Sequence, residues 1–239
     1  ENAVPRAWRR ARVVRGDLPN FLFEPGDIVV AIGQDGLVPN LAKYVAGQPV
    51  IGVNPDPDRY EGILVRTSAS ATRDLLHAAA TDTASFEERT MVEARIDDGQ
   101  ALIALNEIYV GHQSHQSSRY QLRCEQGQEA QSSSGVIVTT GTGATGWARS
   151  ISRERTSAQQ LPGPTDRRLV FLVREAWPSV KSGTKYTEGA VLPGNRLTIV
   201  SEMEEGGVVF GDGLESDRLV VRWGQAVSVG VAERTLRLV

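Results

Sequence analysis

Two glycine-containing segments of this sequence carry residues whose types and spacing suit phosphate or nucleotide chemistry. The first, Gly33-Gln34-Asp35-Gly36, directly follows the apolar run at 27–32. Glycines let the backbone approach a ligand closely, and the N-terminus of a following helix offers N–H donors to an anion. Because a carboxylate repels a phosphate, Asp35 indicates a second task, such as taking a proton from a hydroxyl or holding a metal. A plain Asp-Gly turn explains the segment equally well, and the four residues alone do not decide between the two.

The second segment, Gly141 to Gly146, has the spacing G-x-G-x-x-G and follows the apolar run at 136–140. A Rossmann dinucleotide site also needs a βαβ unit and an acidic residue about 20 residues further on. Asp166 stands at that distance, but it lies in the polar stretch 150–168, which we expect to be an exposed loop. The segment therefore predicts close approach of the backbone to a ligand in another architecture, and a Rossmann redox enzyme is the weaker alternative.

Asn106 and Glu107 end the apolar run at 101–105. A short amide beside a carboxylate can hold vicinal ribose hydroxyls or an adenine edge through directional hydrogen bonds, although a surface strand end is the simpler interpretation. His112 and His115 have the spacing of metal ligands, but only Cys124 lies near enough in the sequence to add a ligand, which favours turn histidines over zinc. The sequence G-x-x-x-x-G-K-[ST] does not occur, so any phosphate binding is not of the P-loop kind.

The hydrophobic pattern predicts an α/β domain followed by an all-β domain. The run at 27–32 is typical of a strand buried on both faces, 37–47 of a short helix closed by a glycine, and 49–53 of a second strand, which together make a βαβ unit. Residues 70–82 indicate a further helix with Ser70 as its N-cap. From residue 86 onward, short alternating segments separated by turns predict a β-sandwich or barrel.

The predicted fold class is therefore α/β plus all-β. A Rossmann-like or flavodoxin-like N-terminal α/β domain, small enough to be incomplete, precedes a C-terminal β-sandwich. We place the α/β domain with the GQDG turn at 1–84 and the sandwich at 85–225. The remaining residues, 226–239, form a C-terminal strand that can return to the N-terminal domain.

Composition and charge exclude several classes of protein. Of the 239 residues, 40% are hydrophobic and 23% charged, which is ordinary for a globular chain and excludes a disordered one. No apolar run approaches the roughly 18 residues of a transmembrane helix, and the arginine-rich opening does not resemble a secretory signal. The lone Cys124 excludes an internal disulfide, and a net charge of −3 argues against nucleic acid as the main partner. We therefore expect a cytoplasmic protein with no membrane or nucleic-acid partner.

Four motifs and a late glycine turn occur in the order found in NAD kinases. They are GQDG at 33–36, PVIGVNPDPDRYEG at 49–62, LNEIYVG at 105–111, SSGVIVTTGTGATGW at 133–147 and GDG at 211–213. The family pattern is G-G-D-G, G-V-N, N-E and T-x-T-G-S-T-A-Y, so the sequence resembles the NAD kinase family from about residue 20 onward. The N-P-D-P-D-R-x-E-G form of the second motif is especially similar to the divergent branch that includes the mitochondrial NAD kinases of animals.

The resemblance implies transfer of a phosphoryl group from ATP or polyphosphate, with Mg²⁺, to the 2′-hydroxyl of the adenosine ribose of NAD, giving NADP. Asp35 matches the catalytic carboxylate that deprotonates this hydroxyl, and no residue is assigned as a metal ligand. Gly33 and Gly36 match the phosphate-binding turn, and the family further implies a homodimer or tetramer. The other matches to NAD-binding positions, the last four in the adenine pocket, are Asn106, Glu107, Thr142, Thr145, Gly146 and Trp147.

Departures from the family pattern keep other functions open. Gln34 replaces the second glycine of the first motif, which makes a non-catalytic sensor of NAD or another nucleotide one alternative. A lipid or other small-molecule kinase of the same fold is another, although lipid kinases usually place Asn-Glu directly after the glycine turn, where this chain has Leu37-Val38. Arg59 and Arg174 are candidates for phosphate contacts, because phosphoryl transfer asks mainly for positioning and charge neutralisation.

Overall fold

The computed structural model describes residues 3–155, 157 and 159–239. They form a mixed α/β protein with two β-sheets and three short α-helices, an arrangement compatible with an α/β domain plus a β-sandwich. The chain divides into two compact units: the residues up to Arg89 together with Arg234–Val239, and Thr90–Glu233. That the domains end at the predicted limits, 84 and 225, stays a prediction.

The strands and helices of the described residues are numbered in chain order. The strands are β1 Val29–Ile32, β2 Val50–Val53, β3 Glu87–Ile96, β4 Ala101–Ala104, β5 Glu107–His112, β6 Ser118–Cys124, β7 Gly127–Ser133, β8 Val136–Thr139, β9 Leu169–Val173, β10 Glu188–Val191, β11 Leu197–Ser201, β12 Gly207–Gly211, β13 Leu214–Val221 and β14 Ala226–Leu238. The α-helices are α1 Leu37–Ala42, α2 Thr72–Ala80 and α3 Trp147–Glu154, and 3₁₀ turns lie at Arg15–Asn20 and Gly143–Thr145. None of the described helices has both the length and the apolar character needed to cross a membrane.

The first unit contains the predicted strand–helix–strand arrangement. β1 and β2 pair in parallel along their whole length, and α1 lies in the connection between them. The end of β14 extends this small sheet, because Leu238 pairs in parallel with Val50 of β2. Ile51 of β2 and Leu76 of α2 belong to a small apolar core, against which Trp8 packs.

Two predictions for this unit are wrong in detail. β1 is not buried on both faces, since Val30 is half-buried and Ile32 is 59% exposed. Among the described strands β1 pairs with β2 alone, so it lies at the edge of its sheet. Ser70 is not the N-cap of α2, because the N–H of Ala71 donates to the hydroxyl of Ser68 at 3.3 Å and the helix begins at Thr72.

The helix predicted over 37–47 ends at Ala42. The N–H of Ala46 donates to the side-chain oxygen of Gln48 at 2.5 Å, and the Gln48 amide donates in turn to the backbone of Glu24 at 3.1 Å, so the chain leaves the helical path. A helix of less than two turns has few aligned peptide dipoles. The dipole of α1 is therefore not an argument for an anion site at Gly36.

The second unit is built from two largely antiparallel sheets. One has the strand order β14-β11-β6-β7, with β3 and β4 beside it, and the other has the order β10-β9-β8-β5-β12-β13. Side chains of both sheets form one core, in which Tyr120 and Phe171 are the largest fully buried members. Alternation along the strands produces this core: in β11, Leu197 and Ile199 are buried, whereas Thr198 between them is half-buried.

The other face of the second sheet is covered by α3. Every residue of β9 is buried, because alternate side chains belong to the common core and the remaining two, Val170 and Leu172, pack in a cluster with Ala148 and Ile151 of α3. This explains why the β9 sequence is apolar throughout rather than alternating.

The structure corrects the loop predicted over 150–168 and decides against a Rossmann turn at 141–146. Residues 150–154, predicted as the start of a loop over 150–168, are helical, and residues 156 and 158 of that stretch lie outside the described residues. β8 and β9 pair in antiparallel fashion. The segment from Gly141 to Gly146 is therefore not the first turn of a Rossmann βαβ unit, which requires parallel strands.

Candidate active site

Asn106 and Glu107 lie at a corner where β5 begins, and their backbone groups are held by hydrogen bonds. The N–H of Asn106 donates to the Asp212 carboxylate at 2.6 Å, and its carbonyl accepts the N–H of Thr140 at 2.9 Å. The carbonyl of Glu107 accepts the N–H of Asp212 at 3.0 Å. Within the part of the chain that the structure describes, neither side chain makes a hydrogen bond. The 106–107 corner thus combines a fixed backbone with two polar side chains that a ligand can use.

Glu107 titrates near neutral pH. Burial disfavours its charged form, and the negative charge of Asp212 adds to this, so that the pKa of Glu107 rises from 4.5 to about 7. A half-buried carboxyl in this range can act as a donor or as an acceptor toward a hydroxyl, depending on pH. The corner therefore has the chemistry of a hydroxyl-binding site.

The glycine-rich segment packs directly against the 106–107 corner. The Thr140 hydroxyl donates to the carbonyl of Leu105 at 2.6 Å and accepts the N–H groups of Thr142 and Gly143 at 3.1 and 3.3 Å. A Cβ at position 143 would lie 2.3 Å from the carbonyl oxygen of Asn106, so only glycine allows this approach. Two motifs some 35 residues apart in the sequence are thereby joined in one site.

The remaining residues predicted for the adenine pocket follow in the same segment. Thr142 is buried, whereas Thr145 and Gly146 are exposed, and the Thr145 hydroxyl donates to the Thr142 carbonyl at 3.1 Å. Gly146 immediately precedes α3, whose first residue is the half-buried Trp147. These positions therefore form a continuous rim that begins at the corner and ends at an aromatic ring.

Trp147 belongs to a stack of protein side chains. Its ring is nearly parallel to that of Tyr109, with centroids 6.1 Å apart, and the guanidinium carbon of Arg174 lies 4.8 Å from the indole centroid. Arg174 also donates to the carbonyl of Ser134 at 3.3 Å. Arg174 therefore makes a cation–π contact with Trp147 and a hydrogen bond to the backbone.

Asp35 lies in the first unit and accepts three backbone hydrogen bonds. The N–H groups of Leu64 and Val65 donate to its Oδ1 at 2.7 and 3.0 Å, and the N–H of Ile63 donates to Oδ2 at 2.9 Å. An ionised carboxylate offers about four acceptor positions. Asp35 therefore fixes the 63–65 segment to the GQDG turn and retains one position for a hydroxyl or a metal.

The two glycines of the GQDG turn have different surroundings. Gly33 donates its N–H to the carbonyl of Val53 at 3.2 Å. Gly36 has a φ of −63°, which any residue adopts, and a Cβ there would meet no atom within 4 Å. The open space beside Gly36 is therefore available to a ligand, and the side chain of Gln34 is exposed beside it.

Two residues that hold the corner, Thr140 and Asp212, were assigned no role by the sequence. Asp212 stands in the 211–213 turn with a φ of 55°, a conformation that Asp tolerates better than most residues. Its position between two glycines was the feature of the sequence that could have indicated this role.

Arg59 lies 6.0 Å from the ring of Tyr60 and is exposed. Among the described residues no group of three or more potential metal-ligating side chains is found.

Curated proteins named NAD kinase are similar to this chain over about half of its length. The NAD kinase of Methylococcus capsulatus is 33% identical over 144 residues, which cover 56% of this chain and 48% of that protein. NAD kinase 2, mitochondrial, of Homo sapiens is 30% identical over 178 residues, which cover 55% of this chain and 40% of that protein. The protein of the same name from Rattus norvegicus is 30% identical over 174 residues, with 53% and 41% covered. No protein-family model matches the chain.

The order of the motifs in this chain resembles that of NAD kinases, and the relatives carry that name. The chain is related to the NAD kinase family, with both a bacterial and a mitochondrial relative, and the resemblance noted in its sequence is confirmed. The chain spans less than half the length of the curated relatives it matches.

Proposed function

We propose that this chain is an NAD kinase, which transfers a phosphoryl group from ATP or polyphosphate to the 2′-hydroxyl of the adenosine ribose of NAD and releases NADP. The relatives named NAD kinase support the proposal. The observation that carries it is the 106–107 corner, whose backbone is fixed while the Asn106 and Glu107 side chains make no hydrogen bond among the described residues.

The corner suits the hydroxyls of a ribose. An amide both donates and accepts, and a carboxylate accepts from two hydroxyls at once, so the pair matches the mixed donors and acceptors of a vicinal diol. The rim of Thr142, Thr145, Gly146 and Trp147 receives the adenine in this proposal. Because Trp147 already stacks with Tyr109 and Arg174, the base meets an aromatic group whose orientation is set before binding.

Asp35 is the general base of the proposed reaction. Its remaining acceptor position takes the proton of the 2′-hydroxyl, a step that contributes roughly 10²–10⁴-fold to the rate. Gly36 leaves room for the phosphate, since no atom lies within 4 Å of a Cβ placed there, and Gly33 belongs to the same phosphate-binding turn in this proposal. Mg²⁺ would enter with the phosphates of the donor and with water as its main ligands, and when bound it would neutralise phosphate charge.

The finer features of the family belong to the same proposal. The first unit is Rossmann-like or flavodoxin-like and the second an NAD kinase-like sandwich, with a homodimer or tetramer as the assembly and the cytoplasm as the location. Light scattering coupled to gel filtration measures the oligomeric state directly, and a monomer would contradict the proposed homodimer or tetramer.

The reaction is tested by incubating the purified protein with NAD, Mg²⁺ and either ATP or polyphosphate, and measuring NADP. We expect NADP with at least one donor and a loss of at least 100-fold in turnover for Asp35→Asn, with NAD affinity nearly unchanged. Asn retains the oxygen that binds the N–H groups of Leu64 and Val65, so the variant loses one structural hydrogen bond of three.

Each other outcome identifies an alternative. NAD binding without NADP from any donor would favour a nucleotide sensor, and absence of an NAD-dependent rise in melting temperature would favour a lipid or other small-molecule kinase. An Asp35→Asn variant that keeps wild-type turnover would overturn the role of Asp35 as the base.

A further inference from the structure

The Asp212 carboxylate binds the backbone on which Asn106 and Glu107 stand. Its two oxygens accept separate N–H groups, one from Leu105 at 3.2 Å and one from Asn106 at 2.6 Å. Its own N–H donates to the carbonyl of Glu107 at 3.0 Å. Three consecutive residues are thus bound to one residue more than 100 positions further along the chain.

The carbonyl of Asn106 is held from the opposite direction by the N–H of Thr140, so Asp212 and Thr140 together bind both backbone groups of Asn106. Charge-assisted hydrogen bonds of a carboxylate to backbone N–H groups are stronger than neutral ones. The orientation of the two side chains therefore depends on the Asp212 carboxylate in particular.

Asp212 is also the charged group that acts on Glu107. The cross-strand partner of Glu107 on β8 is Thr139, and the packed segment 140–144 contains only threonine, glycine and alanine, which do not titrate. On the other side, β12 contributes Gly211 opposite Ile108. On the described elements that pack against the corner, Asp212 is thus the charged group that raises the pKa of Glu107 further.

We propose that Asp212 is a positioning residue that orients Asn106 and Glu107 toward the ribose hydroxyls of NAD and makes NAD binding depend on pH. The proposal rests on the function proposed above. It works through geometry, by fixing the backbone, and through charge, by adding to the burial that keeps Glu107 protonated at a pH where an ordinary glutamate is ionised. NAD binds better when Glu107 is ionised and accepts two hydroxyls, so affinity increases as pH rises through about 7.

Two substitutions separate geometry from charge. Asp212→Asn removes the charge and leaves one acceptor for two N–H groups, so we expect the Kd for NAD to rise about 10-fold. The midpoint of the pH dependence of NAD binding moves to lower pH, because the negative charge of Asp212 no longer raises the pKa of Glu107. Asp212→Glu keeps the charge but displaces the carboxylate, so affinity falls while the midpoint stays. Asp98→Asn, which alters a carboxylate holding a turn N–H elsewhere at 3.1 Å, is the matched control and changes neither quantity.

The measurements are calorimetric titration of NAD between about pH 5.5 and 8.5, chosen to bracket the Glu107 transition, and a ¹³C NMR titration of the Glu107 carboxyl without NAD. An Asp212→Asn variant with wild-type affinity and midpoint overturns the inference while the proposed kinase stands. A wild-type protein that does not bind NAD overturns both. If Asp212→Asn does not fold, Asp212→Glu decides: unchanged affinity contradicts the proposal, and weaker binding at an unchanged midpoint supports it.

Discussion

Two carboxylates of this protein have environments that suit them to different work. Asp35 accepts three backbone N–H bonds, which fix its orientation and preserve its role as an acceptor. Glu107 makes no side-chain hydrogen bond among the described residues, is half-buried and faces Asp212, so its proton is held more tightly than in an ordinary glutamate. The difference between the two side chains separates a group suited to catalysis from a group suited to binding.

The pKa of Glu107 predicts how stability depends on pH. Because this pKa is raised from 4.5 to about 7, the folded protein binds more protons than the unfolded chain between these values. Stability from this group is therefore fully present below about pH 4.5, falls as pH rises, and levels off above about 7. Glu107→Gln does not titrate, so relative to the wild type it gains roughly 3 kcal/mol of unfolding free energy between those limits. Urea unfolding at three pH values measures this, and a constant difference would contradict the shifted pKa.

At the scale of elements, the connection from β8 to α3 brings the glycine-rich segment to the corner. The 3₁₀ turn at Gly143–Thr145 begins within hydrogen-bond reach of the Thr140 hydroxyl, and α3 then packs Ala148 and Ile151 onto the sheet. The turn is therefore held at one end by a hydroxyl and at the other by apolar burial. Both attachments are needed for the rim to keep its position.

Thr140→Val tests the first of these attachments. Valine has nearly the shape of threonine but leaves the Leu105 carbonyl and the N–H of Thr142 without their partner, in a site that is buried. We expect a loss of about 2 kcal/mol in unfolding free energy and a NAD affinity lowered several-fold. Thr198→Val on β11 is the control for the same chemical change. Wild-type affinity in Thr140→Val would show that the rim does not depend on this hydroxyl.

The sequence predicted elements best where local pattern and tertiary environment agree. The parallel pair β1 and β2 and the antiparallel strands after residue 86 followed their hydrophobic periodicity. The failures have tertiary causes: just beyond α1 the Gln48 amide donates to the backbone of Glu24, and the polar stretch 150–154 became helical because Ile151 is buried against the sheet. Neither contact can be read from neighbouring residues.

For the molecule taken as a whole, the sequence predicted only those residues of the candidate site that belong to a recognised motif. By themselves Asn106 and Glu107 favour the interpretation of a surface strand end, and they enter the candidate site through the resemblance to NAD kinases. Thr140 and Asp212 were assigned no role, because what they do is defined by backbone groups 35 and 106 residues away. Such supporting residues become visible only when the strand pairing is known.

The core of the second unit explains why a large antiparallel fold can carry a rigid corner. Both sheets contribute to one apolar cluster, and the corner residues extend from β5, whose middle is buried between β8 and β12. A site that begins on a fixed strand keeps its geometry better than one on a free loop. The backbone that carries the two side chains at the corner is thus fixed before a ligand arrives.

The most direct test of this account is the affinity of the purified protein for NAD, measured by calorimetry with the corner altered. We predict that Asn106→Ala combined with Glu107→Gln weakens NAD binding by at least about 10-fold. The matched control, Asn195→Ala with Glu125→Gln, alters an exposed amide–carboxylate pair 3.4 Å apart and leaves binding unchanged. Equal affinity of the corner variant and the wild type, or no binding of NAD by the wild type, would contradict the central claim that the 106–107 corner holds the dinucleotide.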